Sequence, residues 1–143
     1  MRQDYPTKRP TKSFRHSSHE ACFACGVTGQ RGLRLHFRIG EDGLASAGWT
    51  SKPEFRSYPD RVHGGVVATL LDSAMVHALF ARGITGVTAE ITIRYLQAVS
   101  PDAPVRITGW VGRIHRCRAE VHQRGALAVR ASAKFVSVPF SKT

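Results

Sequence analysis

A chain of 143 residues, 42% of them hydrophobic, is long enough for one domain with a buried core and too short for two ordinary ones. That apolar content excludes a disordered polyelectrolyte. The 21 Lys+Arg against 10 Asp+Glu leave a net charge of +11, and so basic a chain calls for an acidic partner: nucleic acid, an anionic membrane surface or a polyanionic small molecule.

Residues 1–19 carry Arg2, Lys8, Arg9, Lys12 and Arg15 against Asp4 alone, with little that packs. They are expected as a flexible basic arm, followed by a single domain over 20–143. The arm has no apolar h-region, and Pro6 and Pro10 interrupt the amphipathic helix that an organellar presequence would use. Three cysteines, Cys22, Cys25 and Cys117, are an odd number and argue for a reducing, cytoplasmic setting over a secreted disulfide scaffold. His16, His19, Cys22 and Cys25 form H-x2-H-x2-C-x2-C, which can in principle wrap one zinc ion. The spacing is unusually compressed and no second knuckle follows, so no metal is expected.

Gly32–Ile39 alternates Leu33, Leu35, Phe37 and Ile39 against Arg34, His36 and Arg38, the period of a half-buried strand. The turn Gly40–Gly43 joins it to a second strand over 44–50 as a hairpin. A Pro-containing loop, 52–62, leads to Gly64 and Gly65, which precede a Gly- and Pro-free, Ala/Leu-rich stretch running to Gly83. This is the one long helix. Its apolar residues surround nearly the whole circumference, so it is buried on most sides. The longest apolar run, 66–81, includes Asp72 and His77 and is too short and polar to cross a bilayer.

After Gly86, Val87, Ala89, Ile91, Ile93 and Tyr95 alternate with Thr88, Glu90, Thr92 and Arg94. Further strands are expected at about 104–115, 116–123 and 126–138, with a tight turn at Arg124–Gly125. The order β-β-α-β-β-β predicts an α+β fold, a curved antiparallel five- to six-stranded sheet wrapped around one central helix.

Asp72 lies mid-helix between Leu71 and Ala74, and a carboxylate is rarely buried there without a partner. Either it shares a narrow exposed stripe with Ser73 and His77, or it lines a pocket as a base or nucleophile. His63-Gly64-Gly65 opens the same helix, where glycines admit a ligand to first-turn N–H groups that favour developing negative charge. A lone HGG is usually only a turn; HGG with an aspartate nine residues after the histidine is more specific. Gly64 and Asp72 are about 12 Å apart along one helix, too far to share one carbonyl. An active site built from both is therefore expected to be shared between two antiparallel copies of the helix.

CFACG (Cys22–Gly26), GLRLHF (Gly32–Phe37), YPDRVHGGVVATLLDSA (Tyr58–Ala74), VTAEITIRYL (Val87–Leu96) and the Gly125 hairpin together resemble the hotdog-fold acyl-CoA thioesterases of the PaaI type. The resemblance implies a dimer, often a dimer of dimers, acting on an acyl-CoA or related thioester without a metal or redox cofactor. It implies that the N–H of Gly64, with Gly65, polarises the carbonyl, that Asp72 of the partner activates water, and that His63 shapes the glycine loop. Thr88 matches a hydroxyl that orients water or carboxylate in some relatives; on alternation alone it is a polar-face threonine. Relatives often carry Gln-Gly where this chain has Arg56-Ser57, which marks those two residues for acyl binding, and Arg56 suits an acidic acyl group. Arg113, Arg116 and Arg118 are either a solvated face or the site of the coenzyme A phosphates. The basic run lacks interleaved aromatics and the helix is apolar, which disfavours nucleic acid. The expected activity is thioester hydrolysis; the alternative is a non-catalytic acyl-CoA-binding or nucleic-acid-binding protein on the same fold.

Overall fold

The computed structural model describes residues 12–13, 17–28, 31–113 and 115–139. Its centre is helix α1, Gly64–Phe80, buried continuously from Ser73 to Phe80. Gly64 and Gly65 form its first turn instead of preceding it, because first-turn N–H groups need no carbonyl partner and tolerate poor helix formers.

A seven-stranded antiparallel sheet packs against this helix, in the order β1-β2-β3-β7-β8-β9-β6. The last two strands at one end, β1 (Lys12–Ser13) and β2 (Arg38–Ile39), have two residues each. The other five are β3 (Ala45–Trp49), β6 (Gly86–Tyr95), β7 (Val105–Val111), β8 (Arg116–Gln123) and β9 (Ala126–Ser137). A separate two-stranded ribbon, β4 (Arg56–Tyr58) and β5 (Arg61–Val62), forms within the loop before α1. The β-β-α-β-β-β frame around one helix is the hotdog fold, with small strands added at its margins.

The helix backbone sits directly on β7. A Cβ at Gly109 would lie 2.5 Å from the carbonyl carbon and oxygen of Ala74, so only glycine permits that approach. Around the contact, Leu70, Leu71, Ala74, Ile107, Ala119 and Val121 are fully buried. No helix is long and apolar enough to cross a membrane among the described residues.

Three local features differ from the sequence expectation. Leu33, Leu35 and Phe37 are buried on alternate positions, yet only Arg38–Ile39 is a sheet strand. The N–H groups of Leu33 and Leu35 instead donate to the carbonyls of Phe23 and Ala24 at 2.9 and 2.8 Å. Most of the arm expected over 1–19 lies outside the described residues, but Lys12–Ser13 pairs with Arg38–Ile39. The third difference is a bulge in β6: Thr88 pairs with Phe135 and Glu90 with Lys134, leaving Ala89 as an extra residue.

Candidate active site

The loop before α1 is fixed by its backbone. Val62 N–H donates to the Val99 carbonyl and His63 N–H to the Phe55 carbonyl, at 2.9 and 2.8 Å. His63 then caps the helix, its Nδ1 accepting the Gly65 N–H at 2.9 Å. The N–H groups of Val66 and Val67 donate to the His63 carbonyl. One first-turn donor is left over: among the described residues, the Gly64 N–H has no hydrogen-bond partner. Gly65, the second donor expected at a carbonyl, has its N–H engaged by His63.

Gly64 is also held from the other side. The Tyr95 hydroxyl donates to the Gly64 carbonyl at 2.6 Å, and burial pushes the Tyr95 pKa above its ordinary value, so the phenol stays a proton donor at neutral pH. Sequence reading passed over Tyr95, because its place in the β6 alternation gave it only a core role. A cleft of about 280 Å³ runs past Gly64, lined by Ser57, Arg61, Val67, Tyr95 and Gln97 among others. Arg56 is not in that lining; its guanidinium donates to the carbonyls of Pro53 and Pro59 at 3.3 and 3.4 Å. At the loop tip Arg61 bonds Asp60 at 3.2 Å and holds that exposed carboxyl below its ordinary pKa.

Asp72 is half-buried two turns further along α1 and accepts the Thr88 hydroxyl on Oδ1 at 2.5 Å. The bulge at Ala89 makes this contact possible. Strict alternation puts Thr88 on the polar face with Glu90 and Thr92. With one extra residue, Thr88 shares the helix-facing side with Ile91, Ile93 and Tyr95, opposite the buried Phe135, Ala133, Ala131 and Val129. Gly64, Thr88, Asp72 and Tyr95 are therefore all on the helix side of the sheet.

The arginines are elsewhere. Cys117, Ala119 and Val121 of β8 face the core, so Arg116 and Arg118 project from the opposite side. With Arg113, Trp110, Lys134 and Thr92 they line an outer cleft of about 790 Å³. This cleft extends to Glu90 and Thr92 of β6, the free edge of the sheet. Within one protomer the sheet separates these arginines from Gly64.

His19, Cys22 and Cys25 also converge: their ligand atoms all lie within 4.8 Å of one another. His16, the fourth residue of that sequence motif, falls outside the described residues.

Comparison with known proteins bears on these residues. The sequence profile of the thioesterase superfamily matches residues 60–127, which contain the capped glycines, Asp72 and Thr88. A search of curated proteins returns no sequence match. Among solved structures, a thioesterase superfamily protein designated RHA08564 aligns with a TM-score of 0.72 at 24% identity, over 79% of this chain. The chain spans 61% of the length of that protein. The protein smu.793 from Streptococcus mutans, bound to acetyl CoA, aligns at 0.67 with 19% identity, over 81% of this chain and 94% of the other. A hypothetical thioesterase protein from Streptococcus pneumoniae, with coenzyme A, aligns at 0.64 with 23% identity, over 73% and 85%. Two solved variants of the pneumococcal protein carry alanine for a threonine and for an aspartate, which lie sixteen positions apart. At these identities the structural likeness establishes the fold.

Proposed function

We propose that the chain, whose residues 60–127 match the thioesterase superfamily profile and which brings a spare helix-terminal N–H and a threonine-bound carboxylate to one side of its sheet, hydrolyses an acyl-CoA or related acyl-thioester. The observation that carries this reading is the pairing of Gly64 with Asp72. One is an unengaged donor at the positive end of a 17-residue helix, and the other a carboxylate held by Thr88.

The thioester carbonyl oxygen takes the Gly64 N–H, which stabilises the negative charge that develops as water attacks. Asp72 accepts the proton from that water as its oxygen bonds the acyl carbon. The C–S bond then breaks, and the proton leaves with the thiolate as free thiol. No metal or redox group takes part. His63 and Tyr95 position Gly64 through the Gly65 N–H and the Gly64 carbonyl, and Thr88 orients Asp72.

Eight residues of helix, about 12 Å, separate Gly64 from Asp72, so the two meet on one carbonyl only if the site is shared by two protomers. Strand β6 supports such a dimer. It is ten residues long, lies at the end of the sheet, and leaves Val87, Ile91 and Tyr95 37–49% exposed. Edge-to-edge pairing of two β6 strands covers these residues and continues the outer cleft across the interface. Ser57, which lines the cleft at Gly64, contacts the acyl group, while Arg113, Arg116 and Arg118 on the outer face receive the phosphates of a coenzyme A that leaves the site past the sheet edge. The structures with coenzyme A and acetyl CoA support a ligand of this class. The threonine–aspartate pair altered in the pneumococcal protein has the spacing of Thr88 and Asp72. An odd count of three cysteines suits a reducing, cytoplasmic compartment.

Free-thiol release from a panel of acyl-CoAs tests the proposal, with Asp72→Asn as the matched variant. Asparagine still accepts from the Thr88 hydroxyl, so folding is retained while kcat falls by about 10²–10⁴, the range for loss of a positioned base. Equal turnover by variant and wild type sinks the role of Asp72. Binding without turnover in either leaves a non-catalytic acyl-CoA-binding protein.

A further inference from the structure

The turn that carries CFACG is constructed like a metal knuckle. Cys22 N–H donates to the His19 carbonyl at 3.1 Å, Gly26 N–H to the Cys22 carbonyl at 2.8 Å, and Val27 N–H to the Glu20 carbonyl at 2.9 Å. A Cβ at Gly26 would lie 2.5 Å from the backbone nitrogen and oxygen of Cys22, so the chain closes this tightly only because residue 26 is glycine. The closure places Cys22 and Cys25 on one side of the turn, with His19 beside them. Cys25 Sγ and His19 Nδ1 are 3.4 Å apart, and the three ligand atoms lie within 4.8 Å of one another. A tetrahedral zinc ion with Zn–S of about 2.3 Å and Zn–N of about 2.0 Å sets S···S edges near ~3.8 Å and S···N edges near ~3.5 Å. The observed spacing is within an ångström or so of that tetrahedron.

We propose that His19, Cys22 and Cys25 bind one zinc-class divalent cation as a structural clamp, separate from the thioester site. Two thiolates and an imidazole nitrogen are the donor set that favours zinc over calcium or magnesium. As the two Zn–S bonds form, two thiol protons pass to solvent, and the neutral site is left with one coordination position for a further ligand.

The surroundings say what the ion would hold. The His19 ring packs edge-on against Phe80 with centroids 4.8 Å apart and approaches His77 at 6.4 Å. His77 stacks on Phe37 at 4.4 Å. The same turn accepts the N–H groups of Leu33 and Leu35. A bound cation therefore fastens the segment before the sheet to the C-terminal end of α1. Sixteen residues of helix, about 24 Å, separate that end from Gly64, and eight, about 12 Å, separate it from Asp72. The ion is thus too remote to touch a thioester there.

The test uses the untagged full-length protein, purified with reductant. Cobalt(II) titration of the wild type should give thiolate-to-cobalt charge-transfer absorption in the near ultraviolet and intense tetrahedral bands in the visible. Both should bleach on adding one equivalent of zinc. Elemental analysis after zinc loading and dialysis should give one zinc per chain, with a higher melting temperature than the chelator-treated protein. Cys22→Ser, Cys25→Ser and His19→Ala should each weaken zinc binding at least tenfold, while Cys117→Ala binds as wild type. Absence of thiolate–cobalt absorption in reduced wild type overturns the proposal without depending on any variant's folding. So does undiminished zinc in both Cys22→Ser and Cys25→Ser, or a Cys22–Cys25 disulfide that forms in place of metal uptake.

Discussion

Gly64→Pro deletes the proposed carbonyl donor without disturbing the helix that bears it. Gly64 is the first residue of α1, the position where proline is best tolerated because its missing N–H has no helical partner. His63 has φ −58° and ψ 131°, already the extended conformation required before proline. A Cβ at residue 64 would lie 3.6–3.8 Å from the Tyr95 phenol, an ordinary contact. Stability should therefore hold or rise by about 0.4–1 kcal/mol through a stiffer unfolded chain. Loss of one such donor costs about 2.7–4 kcal/mol in the transition state, so kcat should fall by about 10²–10³. Gly64→Ala keeps the N–H and adds nearly the same bulk, and it should retain most activity. The assay is free-thiol release on acyl-CoA, with melting temperatures as the folding control. If Gly64→Pro melts like wild type and turns over within threefold of it, the N–H does not stabilise the reaction. If Gly64→Ala loses as much as Gly64→Pro, bulk and not the donor is responsible. Mixing Gly64→Pro with Asp72→Asn should restore activity through dimers holding one intact site; no recovery on subunit exchange refutes the shared site.

Thr88→Val removes the 2.5 Å donor to Asp72 while preserving shape and β-branching. At an exposed position this charge-assisted bond is worth about 1.5 kcal/mol, so kcat should drop about tenfold, while Thr88→Ser stays close to wild type. Gly109→Ala forces a Cβ to 2.5 Å from the Ala74 backbone. Overpacking of about 1–3 kcal/mol should lower the melting temperature by roughly 4–12 °C, and an unchanged value would mean that α1 slides freely on β7. Burial pushes the Cys117 thiol up to about 11, from 9.0. The folded protein thus holds that proton more tightly than the unfolded chain. Its stabilising contribution is complete below pH 9 and is lost as pH rises toward 11, visible in chemical denaturation and absent in Cys117→Ala.

Much of the fold is legible because apolar periodicity reports which side of a segment is buried. The Ala/Leu-rich run marked α1, its all-round hydrophobicity required a wrapping sheet, and the Arg124–Gly125 turn separated β8 from β9. Periodicity does not report the partner. Leu33, Leu35 and Phe37 alternate like a sheet strand, yet Leu33 and Leu35 bond the cysteine turn. Nor does it report a bulge, since Ala89 is compositionally an ordinary strand residue and its insertion changes only the register.

The sequence by itself determined that a glycine pair opens an apolar helix and that an aspartate lies eight residues further on. Helical geometry follows from local spacing alone. Tertiary structure decided which N–H is spare, which phenol braces Gly64, and how Thr88, the hydroxyl singled out by the family resemblance, reaches Asp72. It also set Arg116 and Arg118 on the outer face and closed His19 onto Cys25. These are contacts between segments distant in sequence or turned back on themselves, fixed by sheet register and by glycines that admit backbone against backbone, and no local pattern encodes them.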